Sequence, residues 1–361
     1  MRNIRGDLRR VIVTTVSVAG CCILLVIGFS LQNGIGDAIE KQYSEILKYD
    51  QHLLFEPDAS DTVEQDMQNV LDKNHLEYTK IDLHNNAYKV GNTLSAVSIL
   101  CADAEDIAKN FNLNDPWNGK QVVPGKHGIC IMRRTAVFYH LNVGDSITLY
   151  DDDMTPYEVK VEGIFENYLG ARFIMSKEAF KEIFNQDAVD NCFLIRNCKD
   201  MSGFSDNLVG IKGFESIENN IDSYKSSMKT ALALRLVTGV LIIAAGIMAY
   251  FILLNLANMF INQKKRELTV MRINGFTTRE VIWYVAREAI FTTLAGIVAG
   301  IALGSVFAYA IIRFLEHRQA GFVLTPTILS WIISGGITAF YSLIIYAIAL
   351  RKIKDLKLTD M

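Results

Sequence analysis

The chain has 361 residues, half of them hydrophobic, with a mean hydropathy of +0.21 and a formal charge of −3. Five Pro and 24 Gly without a repeat exclude collagen-like and low-complexity chains. Six Cys are too few for a disulfide scaffold, and no basic patch on a soluble domain points to nucleic acid. The charge is sorted along the chain. Residues 33–229 hold 32 Asp/Glu against 19 Lys/Arg, a balance of −13, while the remainder carries +10. That distribution suits a membrane protein with one long outside domain.

Four stretches are uncharged and apolar: Val11 to Leu31, Leu236 to Ile261, Ala289 to Ile312 and Ala320 to Leu350. Each reaches the roughly 20 residues that a helix needs to cross a bilayer. The first follows Arg2, Arg5, Arg9 and Arg10, as a signal peptide does. Its 21 apolar residues exceed the usual h-region of about 7–15, so it is read as a retained span. The spacing predicts transmembrane helices over 1–31 with the N-terminal arm, and about 231–261, 284–314 and 322–350.

Orientation follows Lys/Arg in the short segments. Four Arg precede the first span, Lys264, Lys265, Arg266, Arg272 and Arg279 lie between the second and third, and Arg351, Lys352, Lys354 and Lys357 follow the fourth. The turn between the third and fourth carries only Arg318, with Arg313 before it. Both termini are therefore expected in the cytoplasm and residues about 32–230 outside a bacterial cell membrane.

The outside segment is expected to be a mixed α/β domain framed by two amphipathic helices, about 32–50 and 213–230. Ile35, Ile39, Tyr43 and Ile46 form one stripe. Phe214, Ile217, Ile221, Tyr224 and Met228 form the other, an a/d-like seam. The stripes fit a stalk that transmits movement or two helices that cap the domain. Between them, helices are predicted over 63–73, 104–111 and 177–184. Strands are predicted over 96–100, 128–132, 146–150, 157–164 and 192–196. Chemistry is scarce. Asp151–Asp153 lack calcium-loop spacing, the six His show no metal-ligand spacing, and no Gly-x-Ser-x-Gly elbow occurs. Cys101, Cys130, Cys192 and Cys198 lie where disulfides are permitted; a Cys192–Cys198 pair and free buried thiols both fit.

The cytoplasmic link runs Lys264-Lys265-Arg266-Glu267-Leu268-Thr269-Val270-Met271-Arg272-Ile273-Asn274-Gly275-Phe276. It is expected to form a short helix across the membrane plane, about 264–275, ending at Gly275 as a C-cap. Charge pattern alone also fits an interfacial segment held by lipid phosphates. In the third span, Gly296, Gly300 and Gly304 repeat every four residues. That spacing lets another helix approach closely, whether in this chain or in a second permease copy.

The link, with Glu267, Arg272 and Gly275 followed by Glu280, Arg287 and Glu288, resembles the FtsX-like permease family. These are the membrane subunits of MacB-type, or mechanotransmission, ABC transporters. Gly144-Asp145-Ser146-Ile147-Thr148-Leu149, Val161-Glu162-Gly163-Ile164, Met175-Ser176 and the tail Arg351-Lys352-Ile353-Lys354 resemble it too. Asn274 departs from the apolar residue expected before Gly275. The end of the chain at Met361 fits a shorter member or one half of a larger permease.

The resemblance implies an α-helical membrane protein with four transmembrane helices, a MacB-like α/β extracytoplasmic domain between helices 1 and 2, and a permease domain over 231–361. It implies that Arg266, Glu267, Leu268, Met271, Arg272 and Gly275 dock on a cytoplasmic ABC ATPase, itself a dimer. A second permease copy or a paralogue, and membrane lipid, are the other expected partners. The chain has no Gly-x-x-x-x-Gly-Lys-[Ser/Thr] loop. ATP and Mg are therefore expected on the partner ATPase, with no cofactor, metal, catalytic residue or enzymatic activity in this chain. The implied function is to couple ATP hydrolysis to movement of the outside domain, for export of a lipophilic or peptide substrate. The alternative is a non-transporting regulator of an outside partner such as a cell-wall hydrolase.

Overall fold

The computed structural model describes residues 2–56, 61–151, 153–198, 208–316 and 328–354. The expected start of the fourth span at 322–327, the end of the basic tail, His317 and Asp152 lie outside the described residues. Two compact units emerge. One comprises the chain to Ile35 with Ala231–Phe314 and the last helix; the other centres on Gly36–Thr230.

The first unit is helical. It contains most of α1 (Arg2–Lys41), most of α6 (Asn220–Ile273), α7 (Thr278–Glu316) and α8 (Ile328–Lys354). Four helical segments are long and apolar enough to cross a membrane. A helix satisfies its own backbone hydrogen bonds, which is what a hydrocarbon layer demands. The link differs from expectation: it is not a separate short helix, because α6 runs unbroken through 264–273. Lys, Arg, Glu, Leu and Met are good helix formers, and neither Gly nor Pro occurs between Gly246 and Gly275, so nothing stops the helix earlier.

The second unit is mixed α/β, with strands β1 (Gln51–Phe55), β2 (Glu77–Val90), β3 (Thr93–Cys101), β4 (Gly128–Met132), β5 (Ser146–Tyr150), β6 (Pro156–Phe165), β7 (Arg172–Met175), β8 (Cys192–Arg196) and β9 (Phe214–Asn219). Its helices are α2 (Asp61–Lys73), α3 (Ala104–Asn110), α4 (Arg133–Tyr139) and α5 (Lys177–Phe184). The strand order is β3-β7-β4-β6-β5-β2-β8-β1-β9, and β2 also pairs with β3. That extra pairing closes β2, β3, β7, β4, β6 and β5 into a ring, and Ile99, Ile131, Leu149, Phe165 and Phe173 on its strands are each buried. Two pairings in the ring, β3 with β7 and β4 with β6, are parallel.

β2 belongs to both halves of the unit. Its 82–90 stretch pairs with β3, while Glu77 to Ile81 pairs with β8 and so joins β8, β1 and β9. α2 covers this smaller sheet through Met67 and Leu71, which pack with Leu53, Phe55, Phe193 and Ile195. Fully burying each of these apolar side chains contributes about 1.5–3 kcal/mol.

The second stalk differs from expectation. Phe214 and Ile217 are not on a helix; they lie in β9, packed against the Leu53 cluster, and helix begins at Asn220. Phe214 and Ile217 keep the three-residue spacing of a helix, but the edge of β1 takes the stretch up as a strand from Gln51 opposite Asn219 to Phe55 opposite Phe214. Ile221 is exposed rather than in a seam. All six cysteines are free and buried, Cys192 and Cys198 included. Burial pushes the Cys130 and Cys192 thiols up to about 12, so both stay protonated and inert at neutral pH.

Candidate functional site

Three places carry the expected functional residues. At the link, Arg266, Glu267, Leu268, Met271 and Arg272 follow one another on the last turns of α6. Met271 is half-buried and Gly275 exposed. Gly275 takes φ +89, a conformation that side chains rarely adopt. Asn274 N–H donates to Val270 O at 3.0 Å and Phe276 N–H to Met271 O at 3.2 Å, closing the helix end. Two residues on, Thr277 caps α7. Its hydroxyl faces the Glu280 amide at 3.4 Å, and the Glu280 carboxylate accepts from Thr277 N–H at 2.8 Å. This is a reciprocal capping box. Hydrogen bonding from the Thr277 amide and hydroxyl holds the Glu280 carboxyl below its usual range. The turn that ends the link is thus set by Gly275, Thr277 and Glu280; the Thr-x-x-Glu spacing is the signal that sequence reasoning passed over.

The second place is the glycine line of α7. Gly296, Gly300 and Gly304 face α1. A Cβ at Gly296 would lie 2.7 Å from Val18 Cβ, at Gly300 2.5 Å from Cys22 Cβ, and at Gly304 3.0 Å from Val26 Cβ. Val18, Cys22 and Val26 are buried and also repeat every four residues. The two helices therefore meet knob to groove, close enough that the Ala19 carbonyl oxygen lies 3.0 Å from that same point at Gly300. Of the faces open to the glycine line, the structure selects the first span of the same chain. On its other side α1 meets α8: the Asn33 amide donates to Ser330 Oγ at 3.0 Å, and the Cys22 thiol meets the Thr338 hydroxyl. Ser330, Ser334, Thr338 and Ser342 form a buried stripe of hydroxyls along α8. Trp331 Nε1 donates to Ser305 Oγ of α7 at 2.9 Å.

The third place is where α1 and α6 join the mixed α/β unit. α1 ends at Lys41 in a π-helical turn, Gln42–Ile46. Single π-turns are rare and recur at functional sites. Tyr43 packs edge-on against Tyr224 of α6, ring centroids 5.8 Å apart, so the two stripes touch there. Ile39 and Ile46 are buried; Ile35, Tyr43, Tyr224 and Met228 are half-buried. Sequence reasoning missed Gln42. Its side chain is buried, accepts from the Tyr168 and Leu169 amides at 2.9 and 3.1 Å, and donates to Asn167 Oδ1 at 3.0 Å. Asn167 in turn donates to the Leu169 and Gly170 carbonyls. The end of α1 is thereby latched to the loop between β6 and β7. The start of α6 is tied to the same region, since Asn220 N–H donates to Asp50 O at 2.8 Å and its amide side chain to Tyr49 O.

Among the described residues no group of three or more His, Cys, Asp or Glu is arranged to hold a metal ion. The three places described above are joints between elements.

Residues 239–357 match the FtsX-like permease C-terminal family. That stretch includes the link, the glycine line and α8. No curated protein matches the chain by sequence. Among solved structures, it is similar to the periplasmic region of MacB from Actinobacillus actinomycetemcomitans, at 12% identity and TM-score 0.30, covering 51% of this chain and 94% of that one. It is also similar to the extracellular domain of the noncanonic ABC-type transporter YknZ from Gram-positive bacteria, at 11% identity and TM-score 0.29, covering 47% of this chain and 99% of that one. The chain thus has four helices apolar enough to span a bilayer and, over residues 239–357, a stretch that matches the FtsX-like permease C-terminal domain.

Proposed function

We propose that this permease couples ATP hydrolysis by a separate cytoplasmic ATPase to movement of its extracytoplasmic domain, and so extrudes a lipophilic or peptide substrate. The observation that carries the reading is the link. It lies inside the matched permease domain, concentrates Lys264, Lys265, Arg266, Glu267 and Arg272 at the end of α6, and ends in a turn set by Gly275 and the Thr277–Glu280 box. A helix end presenting both an acid and a guanidinium suits charge-assisted docking on a partner. The Lys/Arg distribution supports a cytoplasmic location for this end and for both termini, with Gly36–Thr230 outside. ATP and Mg belong to the partner, and this chain supplies the levers: α6 from the link to the outside domain, and α1 from the first span to the Gln42 latch.

Charge reversal at both Glu267 and Arg272 tests the reading. A tagged full-length permease should co-purify an ATPase from the membranes of its own cells, and the double reversal should abolish this while leaving permease abundance unchanged. Undiminished co-purification by the double variant would sink the link as the docking site.

A further inference from the structure

We infer that α1 has two seats against α7 and α8, one helical turn apart, and that it moves between them by sliding toward the cytoplasm. The inference draws its trigger from the proposed coupling to an ATPase, but its geometry comes from the helical unit alone.

Both faces of α1 repeat every four residues. On α7 the line Gly296, Gly300, Gly304 continues with buried Ala308 and Ile312; on α1 the line Val18, Cys22, Val26 continues with buried Ser30 and Gly34. Knobs are large where α7 has glycine and small where α7 has a side chain. A slide of one turn, about 6 Å at 1.5 Å per residue, moves each α1 residue to the level of its predecessor four positions earlier. Cys22 then meets Gly296, Val26 meets Gly300, Ser30 meets Gly304, and Gly34 meets Ala308. Val18 meets Thr292, which is buried on the same line. The opposite slide carries Val26 onto the Ala308 methyl and Ser30 onto Ile312, and takes Asn33 away from Ser334.

The α8 side supplies a second, independent observation. Asn33 donates to Ser330 Oγ, while Ser334 Oγ, one turn further in, is fully buried with no hydrogen-bond partner. Ser30 Oγ of α1 and Ser342 Oγ of α8 are likewise buried without partners. A buried hydroxyl without a partner costs about 1–3 kcal/mol, and such groups in a native structure call for an explanation. For Ser334 the slide provides it. Asn33 arrives at the level of Ser334 and exchanges one hydroxyl for the next. One-turn ratchets between packed elements are an established form of switching.

Paired cysteines in the full-length permease, in membranes of its own cells and in a background lacking Cys21 and Cys22, test the two seats. Asn33→Cys with Ser330→Cys reports the first, Asn33→Cys with Ser334→Cys the second, and Asn33→Cys with Thr338→Cys serves as an out-of-reach control. The expected result is cross-linking of the first pair without nucleotide and a shift to the second during ATP hydrolysis, with the control pair silent. Retention of the first pair alone while the co-purified ATPase turns over would overturn the ratchet and leave the proposed function standing. Absence of any co-purifying ATPase would overturn the proposed function instead. The ratchet is then decided by whether the second pair cross-links above the control in the same membranes.

Discussion

Gln42 makes three hydrogen bonds from a single side chain, two of them accepted from backbone amides. Leaving buried donors unpaired costs about 1–3 kcal/mol each. Gln42→Ala should therefore lower stability by that order and loosen the hold of α1 on the loop between β6 and β7. Measured on the full-length protein with its ATPase, it should leave ATP hydrolysis near normal while export falls; equal loss of both would mean that Gln42 is structural only. Asp82 offers a different residue-scale test. Burial raises its carboxyl above the usual range, against the hydrogen bond from His84, with Asp190 and Lys177 acting from nearby in opposite senses. A carboxyl that is harder to ionise folded than unfolded destabilises the fold above its folded pKa, and the penalty is relieved as pH falls through that value toward about 3.9. Asp82→Asn should be at least as stable as the wild type at neutral pH, with the advantage shrinking on acidification. Thermal unfolding across that window checks this, and a variant weaker at neutral pH would show that the His84 contact outweighs burial.

At the scale of elements, the glycine line makes the firmest demand. Gly300→Val puts branched carbon where the Cys22 side chain already sits. Overpacking of this kind costs typically about 1–3 kcal/mol, so the variant should unfold at lower temperature and Gly239→Val, with nothing within 4 Å, should not. Local patterns made some elements legible and hid others. β4, β5, β8 and α5 were predicted with the bounds observed, because each is a short apolar or amphipathic run between clear turn signals. β2 was missed because Asn85 and Asn86 interrupt its alternation, and it is held instead by β3, β5 and β8 together. β9 carried a helical spacing that the edge of β1 overrode. The glycine line was visible, but its partner was not: nothing distinguishes Val18, Cys22 and Val26 within a uniformly apolar span. Gln42 was invisible because its partners lie about 125 residues away in sequence.

At the scale of the whole molecule, the split between an acidic middle and basic flanks matches the division of the chain into two units, with the unit boundaries at Ile35 and Ala231 falling close to the charge boundaries. In the proposed coupling, force applied at the link reaches the Gly36–Thr230 unit through α6 and α1. Tyr43 and Tyr224 mark where the two helices touch within that domain, and exposed Ser44 and Lys225 stand beside them. Spin labels at Ser44→Cys and Lys225→Cys, in the reconstituted complex with its ATPase, report the separation of the stalks. The account predicts one separation without nucleotide and a different one during ATP hydrolysis, a change lost in the Glu267 and Arg272 charge reversals. A separation unaltered by hydrolysis in an active complex would contradict it.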